Sequence, residues 1–538
     1  MRVKAKQGRL FRSPDSAGLG YAGMRISVSA ESPLDKYPAK QHAARVATVL
    51  GVDHGLIYLP GETISNYADS DQPRPFRQSR YFLYLSGVDE SDCHLTYDIA
   101  TENLTLWLPP IDPKVVVWVG RGSTTSEALE KYDIDNARYS PHLKHYLESW
   151  ASSNKHKSGG DIFVLHPADK KSRVPESLSS RLNTTALQPA TDTCRVIKDP
   201  HEIDLIRTAA GISTKAHESV LRNLLTFKSE AQVTAHFLDV SIAHGAKHQS
   251  YGIIAGSGSN AAILHYENND AVFGDSQLMC LDAGAEWQSY SSDITRTFPL
   301  SGNWPSKESK EIYNLVQLMQ SSCTTNLKPG KNFVENQYLA HVIAIEGLLK
   351  LGILRDGSIE EIYKAGTSRA FFPHGLGHHM GLEVHDVSPP SVSPFRSSST
   401  SREQGREIPI EIRHHFTTAG AESAYHASSQ QYADPDICRS PCRTYDSGLQ
   451  PGMVITVEPG IYFNGYALEE IYYPSPVHSK YIDKKVVKRY MPVGGVRIED
   501  DILITPSGYE LMSHTAKGED ALRIIRGESV VVLQHLQV

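Results

Sequence analysis

Two aspartates, Asp282 and Asp293, lie in a segment that has the pattern of a β-hairpin. Strand-like runs flank a turn near Trp287-Gln288, and this tip would place Asp282 directly opposite Asp293. Opposed residues point to one face with Cβ atoms ~5 Å apart, where two like charges are destabilising unless a cation neutralises them. The alternative is a pair of solvated carboxylates, but the apolar flanks favour a buried, cation-binding hairpin. Thr295, on the face of Asp293, would then support the site.

A histidine-rich segment follows further along the chain. It contains four histidines within twelve residues: His374, His378, His379 and His385. Glycines between the first two disfavour a helix and are typical of a loop that passes close to a ligand. A single histidine is more often structural, but this clustering favours a site in which His378 supplies a nitrogen ligand and His385 lies nearby.

Two glutamates end apolar strand-like runs, Glu458 before Pro-Gly and Glu499 two residues after Arg497. Buried carboxylates need partners, so Glu499 is predicted to bind a metal, to pair with Arg497, or both. One imidazole with four carboxylates is an oxygen-rich set that favours Mn²⁺ or a similar ion over structural zinc. So many ligands suit two ions ~3.5–4 Å apart that share carboxylates. The predicted metal ligands are Asp282, Asp293, His378, Glu458 and Glu499.

The elements that must position these residues fall into two halves. The first half alternates short strands with helices, which predicts an α/β domain ending near residue 193. A helix that opens at Asp199-Pro200 begins a second half, where strand pairs and helices mix as in an α+β domain. The strands predicted in the first half are Gly55–Leu59, Tyr81–Leu85, His94–Tyr97, Leu104–Leu108 and Val115–Val119.

Composition excludes several classes of protein. A chain of 538 residues is too long for one ordinary core, so two domains are expected. The net charge of -7 gives no basic surface for nucleic acid, and no apolar run approaches the ~20 residues of a membrane span. Six cysteines in so long a chain are too sparse for a disulfide scaffold, which favours a reducing compartment, the cytoplasm.

Three segments lie outside the two predicted domains or interrupt them. Residues 1–23 are rich in arginine and lysine and poor in acids, which predicts a disordered tail or a mitochondrial presequence. The Ser- and Pro-rich segment 389–433 is predicted to be a disordered insertion or a retained intron, since it offers little apolar surface. Residues 516–538 are predicted to form a C-terminal tail.

The motifs described so far occur together with two others in a recognisable order. They resemble those of the aminopeptidase P and prolidase group of pita-bread metallopeptidases, over roughly residues 24–515, with 389–433 as the one large departure. The resemblance implies a creatinase-like α/β domain over 24–193 and an α+β pita-bread catalytic domain over 194–515. The motifs are Ala262-Ile-Leu-His265-Tyr, the Asp282/Asp293 hairpin, His374-Gly-Leu-Gly-His378, Val384-His385-Asp386-Val, Val457-Glu458-Pro-Gly and Arg497-Ile-Glu499-Asp.

The resemblance also implies how the ligands are shared. Asp293 and Glu499 would bridge two divalent ions, expected to be Mn²⁺, while Asp282 completes one ion and His378 and Glu458 complete the other. A hydroxide between the ions would attack the scissile carbonyl, with Glu458 as proton carrier.

Further roles follow from the resemblance for residues that bind the peptide. His265 and His385 would orient the substrate and stabilise the oxyanion, so that they and Glu458 are the predicted catalytic residues. His374 and Arg497 would line the proline side of the cleft, and Tyr251 would pack there. The N-terminal domain would contribute to a homodimer.

The substrate implied is a peptide with proline in the second position, from which the first residue is removed. A close alternative is an Xaa-Pro dipeptidase, since Arg443 stands where the family places an arginine for the free carboxylate of a dipeptide. The run from Asp293 to Gly302 looks closer to aminopeptidase P. A more distant alternative, a metal-free pita-bread domain that only binds peptides or proteins, is disfavoured by the presence of all five ligands.

Overall fold

A computed structural model describes residues 36–153, 160–166, 174–274, 277–388 and 448–528 of the chain. The predicted tail 1–23, the predicted insertion 389–433 and the predicted substrate-binding residue Arg443 lie outside these residues.

The first domain is built on a six-stranded mixed sheet with the order β4-β3-β2-β1-β5-β6. Its central strands β1, β2 and β3 pair antiparallel, and the pairs β3–β4, β1–β5 and β5–β6 are parallel. Helices cover both faces, which confirms the predicted α/β class. The strands are β1 (Leu56–Pro60), β2 (His94–Asp98), β3 (Asn103–Leu108), β4 (Asn136–Tyr139), β5 (Ile162–Phe163) and β6 (Leu182–Asn183).

Two segments predicted as strands are helices. Tyr81–Leu85 lies in a buried helix that ends at Gly87, whose φ of 65° is left-handed. Val115–Val119 lies in a helix that begins with Asp112 as its cap and Pro113 in its first turn. Both predictions were wrong because short apolar runs do not distinguish a strand from a helix. The helices of this domain are α1 (Ala39–Leu50), α2 (Arg80–Ser86), α3 (Pro113–Val119), α4 (Thr125–Lys131), α5 (Leu143–Ser152) and α6 (Leu187–Val196).

The second domain combines small antiparallel sheets with long helices, which confirms the α+β prediction. Strands β8, β9 and β12 form one sheet, β13, β16 and β17 a second, β7, β10 and β11 a third, and β14 pairs with β15. These strands are β7 (His248–Gln249), β8 (Ile254–Ser257), β9 (Leu278–Asp282), β10 (Ala285–Trp287), β11 (Tyr290–Ser291), β12 (Thr295–Pro299), β13 (Val454–Val457), β14 (Gly460–Tyr462), β15 (Gly495–Arg497), β16 (Asp500–Thr505) and β17 (Gly508–Leu511).

Helices pack against these sheets. The first of them begins where the sequence predicts, with a capping box between Asp199 and Glu202. The helices are α7 (Pro200–Asn223), α8 (Glu230–Ala243), α9 (Lys307–Thr325), α10 (Phe333–Lys350), α11 (Ile359–Lys364), α12 (Lys484–Tyr490) and α13 (Glu519–Ile525).

Two of the predicted domain limits can be compared with the helices of the structure. The limit at residue 193 falls inside α6, which packs along α1 of the first domain. The predicted tail 516–538 begins with α13, whose Leu522 and Ile525 are buried in an apolar cluster with Phe237 and Phe298. An amphipathic helix of this kind buries apolar surface, so α13 packs as part of the second domain.

The predicted register of the hairpin that contains Asp282 and Asp293 is wrong by two positions. Asp282 pairs with Thr295, not with Asp293, because the tip is a two-residue turn at Gln288-Ser289 with φ of 47° and 69°. Such mirror-image turns match the twist of the flanking strands. A shift by two residues preserves side-chain alternation, so both carboxylates still face the same side.

One of the apolar clusters contains residues of both domains. Phe82, Leu95 and Leu106 of the first domain belong to the same cluster as Tyr290, Met380 and Leu382, each at most 2% exposed. Tyr290 follows the tip of the hairpin, and the last two lie between His378 and His385. The residues that flank the predicted ligands are therefore buried against the first domain.

No helix in the described part of the chain is long and apolar enough to cross a membrane.

Candidate metal centre

Five strands and loops bring the predicted metal ligands together. Asp282 ends β9, Asp293 follows β11, Glu458 follows β13 and Glu499 lies between β15 and β16. His378 lies on an extended segment whose backbone bonds to β13, with Thr456 N donating to His378 O at 2.9 Å. Ligand atoms lie within 4.8 Å of one another in three overlapping groups, which are Asp282/Asp293/Glu499, His378/Glu458/Glu499 and Asp293/His378/His385.

The orientation of His378 leaves a lone pair directed at two carboxylates. Its Nδ1 lies 3.0 Å from the carbonyl oxygen of His379 and must donate to it. Its Nε2 is 3.4 Å from Asp293 Oδ2 and 3.3 Å from Glu458 Oε1. Burial lowers the pKa of His378 to about 4, so the imidazole ring is neutral at pH 7 and its Nε2 has a free lone pair. Three lone-pair donors that face one another in this way fit a cation.

The carboxylates of the site are held in an unfavourable environment when no cation is near. Burial, followed by the charge of Asp282, raises the pKa of Asp293 well above its usual range. Burial also raises the pKa of Glu458 and of Glu499, each with a neighbouring carboxylate as the next cause. Buried like charges cannot all ionise unless positive charge compensates them.

One oxygen of the site has no partner of its own. Asp293 Oδ1 is buried and has no hydrogen-bond partner among the described residues. Buried polar atoms almost always have a hydrogen-bond partner, and one without a protein partner points to a bound water or ion. Together with the oxygen-rich donor set, this atom indicates that the residues fit one or more hard divalent cations.

Asp282 is held in place by two neighbouring side chains. Tyr251 donates its hydroxyl proton to Asp282 Oδ1 at 2.5 Å, and Arg497 Nη2 donates to Oδ2 at 2.6 Å. Arg497 is therefore paired with Asp282, and the ion pair with Glu499 that the sequence suggested is not formed. Glu499 instead accepts a hydrogen bond at 2.6 Å from Thr295, the residue predicted to support the site.

A chain of hydrogen bonds connects Arg497 to His374. Tyr462 lies between them, since its hydroxyl is 3.0 Å from Arg497 Nη1 and 2.8 Å from His374 Nε2. Burial, followed by the charge of Arg497, lowers the pKa of His374 to about 3, so this ring is neutral. Sequence reasoning gave no role to Tyr462, which follows the Glu458-Pro-Gly motif. Its position two residues beyond a Pro-Gly pair was the available signal.

The two predicted catalytic histidines lie at the edge of the ligand cluster. The ring of His385 is partly buried and packs edge-on to His378, with ring centroids 4.3 Å apart. Burial and then the charge of His378 lower the pKa of His385 to about 3. His265 is exposed on the loop after β8, and its charge contributes to the lowered pKa of both His374 and His385.

One glycine between the histidines, Gly377, is required by the packing of the protein itself. A Cβ at Gly377 would lie 2.0 Å from Thr456 O, so this glycine permits close approach to strand β13.

A buried ion-pair cluster next to His385 was missed by sequence reasoning. Asp386 pairs with Arg195 at 2.6 Å and with Lys198 at 3.2 Å, and all three side chains are at most 2% exposed. Burial raises the pKa of Asp386, but the two cations outweigh burial and lower it. Asp386 belongs to the motif Val384-His385-Asp386-Val. No local pattern in the sequence singles out its partners Arg195 and Lys198.

Comparison with known proteins identifies the family. Residues 204–506 match the model of metallopeptidase family M24, and residues 40–158 match that of the aminopeptidase P N-terminal domain. The chain belongs to metallopeptidase family M24. The predicted resemblance is thereby confirmed, as is a creatinase-like domain followed by a pita-bread catalytic domain.

Curated relatives are similar over most of the chain. It is 52% identical over 503 residues to a probable Xaa-Pro aminopeptidase of Pyrenophora teres f. teres, covering 93% of this chain and 52% of the relative. A protein of the same description from Pyrenophora tritici-repentis is also 52% identical, with 93% and 73% covered. The Aspergillus clavatus relative is 48% identical, with 91% and 93% covered. The chain thus spans about half the length of one relative and nearly all of another.

Solved structures of aminopeptidases share the fold. Pseudomonas aeruginosa aminopeptidase PepP superposes with a TM-score of 0.70 and 25% identity, over 91% of this chain and 99% of that one. Zinc-substituted Escherichia coli aminopeptidase P with bound product gives a TM-score of 0.69 at 25% identity, over 92% and 99%.

Proposed function

We propose that this chain is an Xaa-Pro aminopeptidase, which hydrolyses the bond between an N-terminal residue and a penultimate proline. The observation that carries the proposal is the position of His378 Nε2, which lies 3.4 Å from Asp293 and 3.3 Å from Glu458 inside a group of buried carboxylates. The relatives described as probable Xaa-Pro aminopeptidases support the substrate class.

We propose that the site holds two Mn²⁺ ions. Asp293 and Glu499 would be shared, with Asp282 on one side and His378 with Glu458 on the other. When bound, such a pair lowers the pKa of a shared water, so that a hydroxide nucleophile is available at neutral pH. Oxygen-rich donor sets favour Mn²⁺, although the Escherichia coli relative has been crystallised with zinc.

The chain's own residues would orient the peptide and move the protons. His385 is neutral, so one ring nitrogen can donate to a developing oxyanion, and exposed His265 lies where an entering peptide can reach it. The side chain of Glu458 is 14% exposed, so that it can exchange protons with solvent and pass one to the leaving nitrogen. The leaving group here is the imino nitrogen of proline.

The hydrogen-bonded chain His374–Tyr462–Arg497 would form the proline side of the cleft. Arg497 holds both Asp282 and Tyr462, so the wall and the metal ligands keep a fixed spacing. Tyr251, predicted to pack against substrate, is assigned instead to orienting Asp282 through its 2.5 Å hydrogen bond.

Tyr251→Phe is expected to weaken metal binding about 10-fold without unfolding the protein, because hydrogen bonds to a ligating carboxylate typically contribute 10–100-fold in affinity. Titration of metal-free protein with Mn²⁺ measures the effect. Tyr466→Phe, which alters a hydroxyl on a side chain 70% exposed, is the matched control and should bind as wild type does. Equal affinity in both variants would remove Tyr251 from the site.

Peptide length tests the proposed activity. The protein is expected to release the first residue from Xaa-Pro-Xaa tripeptides and longer peptides, and to cleave Xaa-Pro dipeptides more slowly. A site built around the free carboxylate of a dipeptide rejects longer analogues, because its buried cation is then left unpaired. Mass spectrometry of products from matched di-, tri- and pentapeptides measures the preference.

The same peptides decide between the two related activities. Arg443→Ala should slow hydrolysis of short peptides more than of long ones, if this arginine meets a nearby carboxylate. Cleavage of dipeptides with tripeptides left intact would replace the aminopeptidase assignment by that of a dipeptidase. Peptides with alanine in place of proline are the negative control.

We further propose a cytoplasmic location and a homodimer. The four cysteines in the described part of the chain are free and buried, as suits a reducing compartment: Cys93, Cys194, Cys280 and Cys323. Light scattering of the purified protein measures the number of subunits.

A further inference from the structure

The two segments that carry most of the ligands meet at one backbone hydrogen bond. Ser291 N, on strand β11 just before Asp293, donates to Gly381 O at 2.9 Å, between His378 and His385. The hairpin and the histidine segment can therefore move relative to each other only if this junction opens.

Arg80, on α2 of the first domain, pairs with both sides of this junction. Its Nη2 lies 2.9 Å from Glu286 Oε2 on strand β10, and its Nε lies 2.8 Å from Glu383 Oε1 on the histidine segment. The planar guanidinium presents its donors in a fixed geometry, so it sets the spacing of the two carboxylates it joins. One side chain of the first domain thus spans the two halves of the predicted metal centre.

Burial distinguishes the contact between Arg80 and Glu286 from a surface ion pair. The side chains of Arg80 and Glu286 are 9% and 4% exposed, whereas that of Glu383 is 48% exposed. Glu286 has a second partner, since Arg77 Nη2 lies 2.6 Å from the same oxygen. Loss of Arg80 would therefore leave Glu286 paired while releasing Glu383.

Apolar contacts lie beside the arginine. Met380 and Leu382, on either side of Gly381, are at most 2% exposed and lie in the same cluster as Phe82 of α2. The histidine segment is consequently anchored to α2 by apolar packing and by charge at the same place.

We propose that Arg80 is a positioning residue for the metal centre, which fixes the hairpin with Asp282 and Asp293 relative to the segment with His378 and His385. The inference rests on the proposed function, because it needs those residues to share metal ions. Through Arg80, the first domain would contribute to metal binding.

Arg80→Met tests the proposal, since methionine keeps much of the apolar stem and removes the charge. Mn²⁺ affinity of the metal-free protein is expected to fall 10–100-fold, the range typical of partners that orient ligands. Arg80→Lys should give an intermediate affinity, because a single ammonium cannot reproduce the two-sided geometry of the guanidinium. Glu383→Gln, at an exposed position, removes one contact and should weaken binding less.

Arg207→Met is the matched control. This exposed arginine also joins two carboxylates, Asp204 and Glu510, but lies on α7 and away from the junction. It should leave metal affinity unchanged.

Hydrogen exchange in metal-free protein gives a readout that is independent of the metal. The amide of Ser291 should exchange at least 10-fold faster in Arg80→Met than in wild type, while amides of the α9–α10 pair keep their rates. Unchanged Ser291 exchange together with unchanged Mn²⁺ affinity would overturn the proposal, as would a lower melting temperature with unchanged affinity. If wild type itself binds no divalent metal, the proposed function fails, whereas equal binding by wild type and Arg80→Met refutes the role of Arg80 alone.

Discussion

Asp293→Asn is expected to give a folded protein that binds little divalent metal and has lost about three orders of magnitude in kcat/KM. The estimate follows from the several kcal/mol of transition-state stabilisation that bound metal supplies, at 1.36 kcal/mol for each factor of ten. Asp293 belongs to two of the three ligand groups, so its replacement disturbs the binding of more than one ion.

The folded state should tolerate this change. Burial and the charge of Asp282 raise the pKa of Asp293, so the carboxylate costs stability when no cation is present. Removal of a repelling charge from a crowded buried site should keep or slightly raise the melting temperature of the metal-free protein. Calorimetry and metal analysis of the same sample separate loss of metal from loss of fold.

Asp356→Asn provides the control. Asp356 is exposed and has a φ of 54°, which asparagine accepts readily, so metal content and activity should not change. In wild type, a chelator should abolish activity and added Mn²⁺ should restore it. Full turnover by Asp293→Asn, or by thoroughly chelated wild type, would contradict the metal centre itself.

Arg296→Met is expected to lower the melting temperature by roughly 5–10 °C, since loss of one partner of a buried ion pair costs about 3 kcal/mol or more. Arg296 is 2% exposed and pairs with fully buried Asp500 at 2.6 Å. It also donates to the carbonyl oxygens of Thr295, Glu499 and Thr515. The side chain thus connects β12 with the segment that follows Glu499.

The pH dependence of this loss can be predicted. Burial disfavours ionised Asp500, but Arg296 and Lys517 outweigh burial and lower its pKa to about 2. A carboxyl with a lowered folded pKa contributes stability above its unfolded pKa of about 3.9, and this contribution is lost as pH falls through the folded value. The difference in melting temperature between wild type and Arg296→Met should therefore be largest above about pH 4 and shrink toward pH 2.

Arg207→Met serves again as the control, because an exposed ion pair contributes only about 0–1 kcal/mol. A fall of less than 2 °C for Arg296→Met at neutral pH would show that the buried pair contributes little to stability.

Sequence reasoning selected side chains that the structure brings together, because the signal for each of them is local. Acids that end apolar strands and histidines that cluster among glycines are each unfavourable without a partner, and such residues indicate a site wherever they occur. The geometry of the hairpin was harder to predict from the sequence. Gln288 and Ser289 adopt left-handed conformations that usually select Asn-Gly, so the tip of the hairpin was placed one residue too early.

Contacts between segments that are far apart in the sequence are not indicated by any local pattern. Arg80 and Glu286 lie roughly 200 residues apart, and neither the spacing nor the composition around them indicates that they meet. The helix that carries Arg80 was itself predicted as a strand, because Tyr81–Leu85 is too short an apolar run to show a helical period. Pairing across a domain boundary therefore required the structure.

The core shared between the domains has a consequence for biosynthesis. Met380 and Leu382 leave the ribosome almost 190 residues after Val196, the last residue of α6, so at about 5–20 residues per second they follow the first domain by roughly 10–40 s. During that interval the nascent first domain exposes the apolar side chains that these residues later cover. At this stage the first domain has been fully synthesised, but part of its apolar core is still exposed. We expect chaperones that bind exposed apolar surface to act on the nascent chain at this stage.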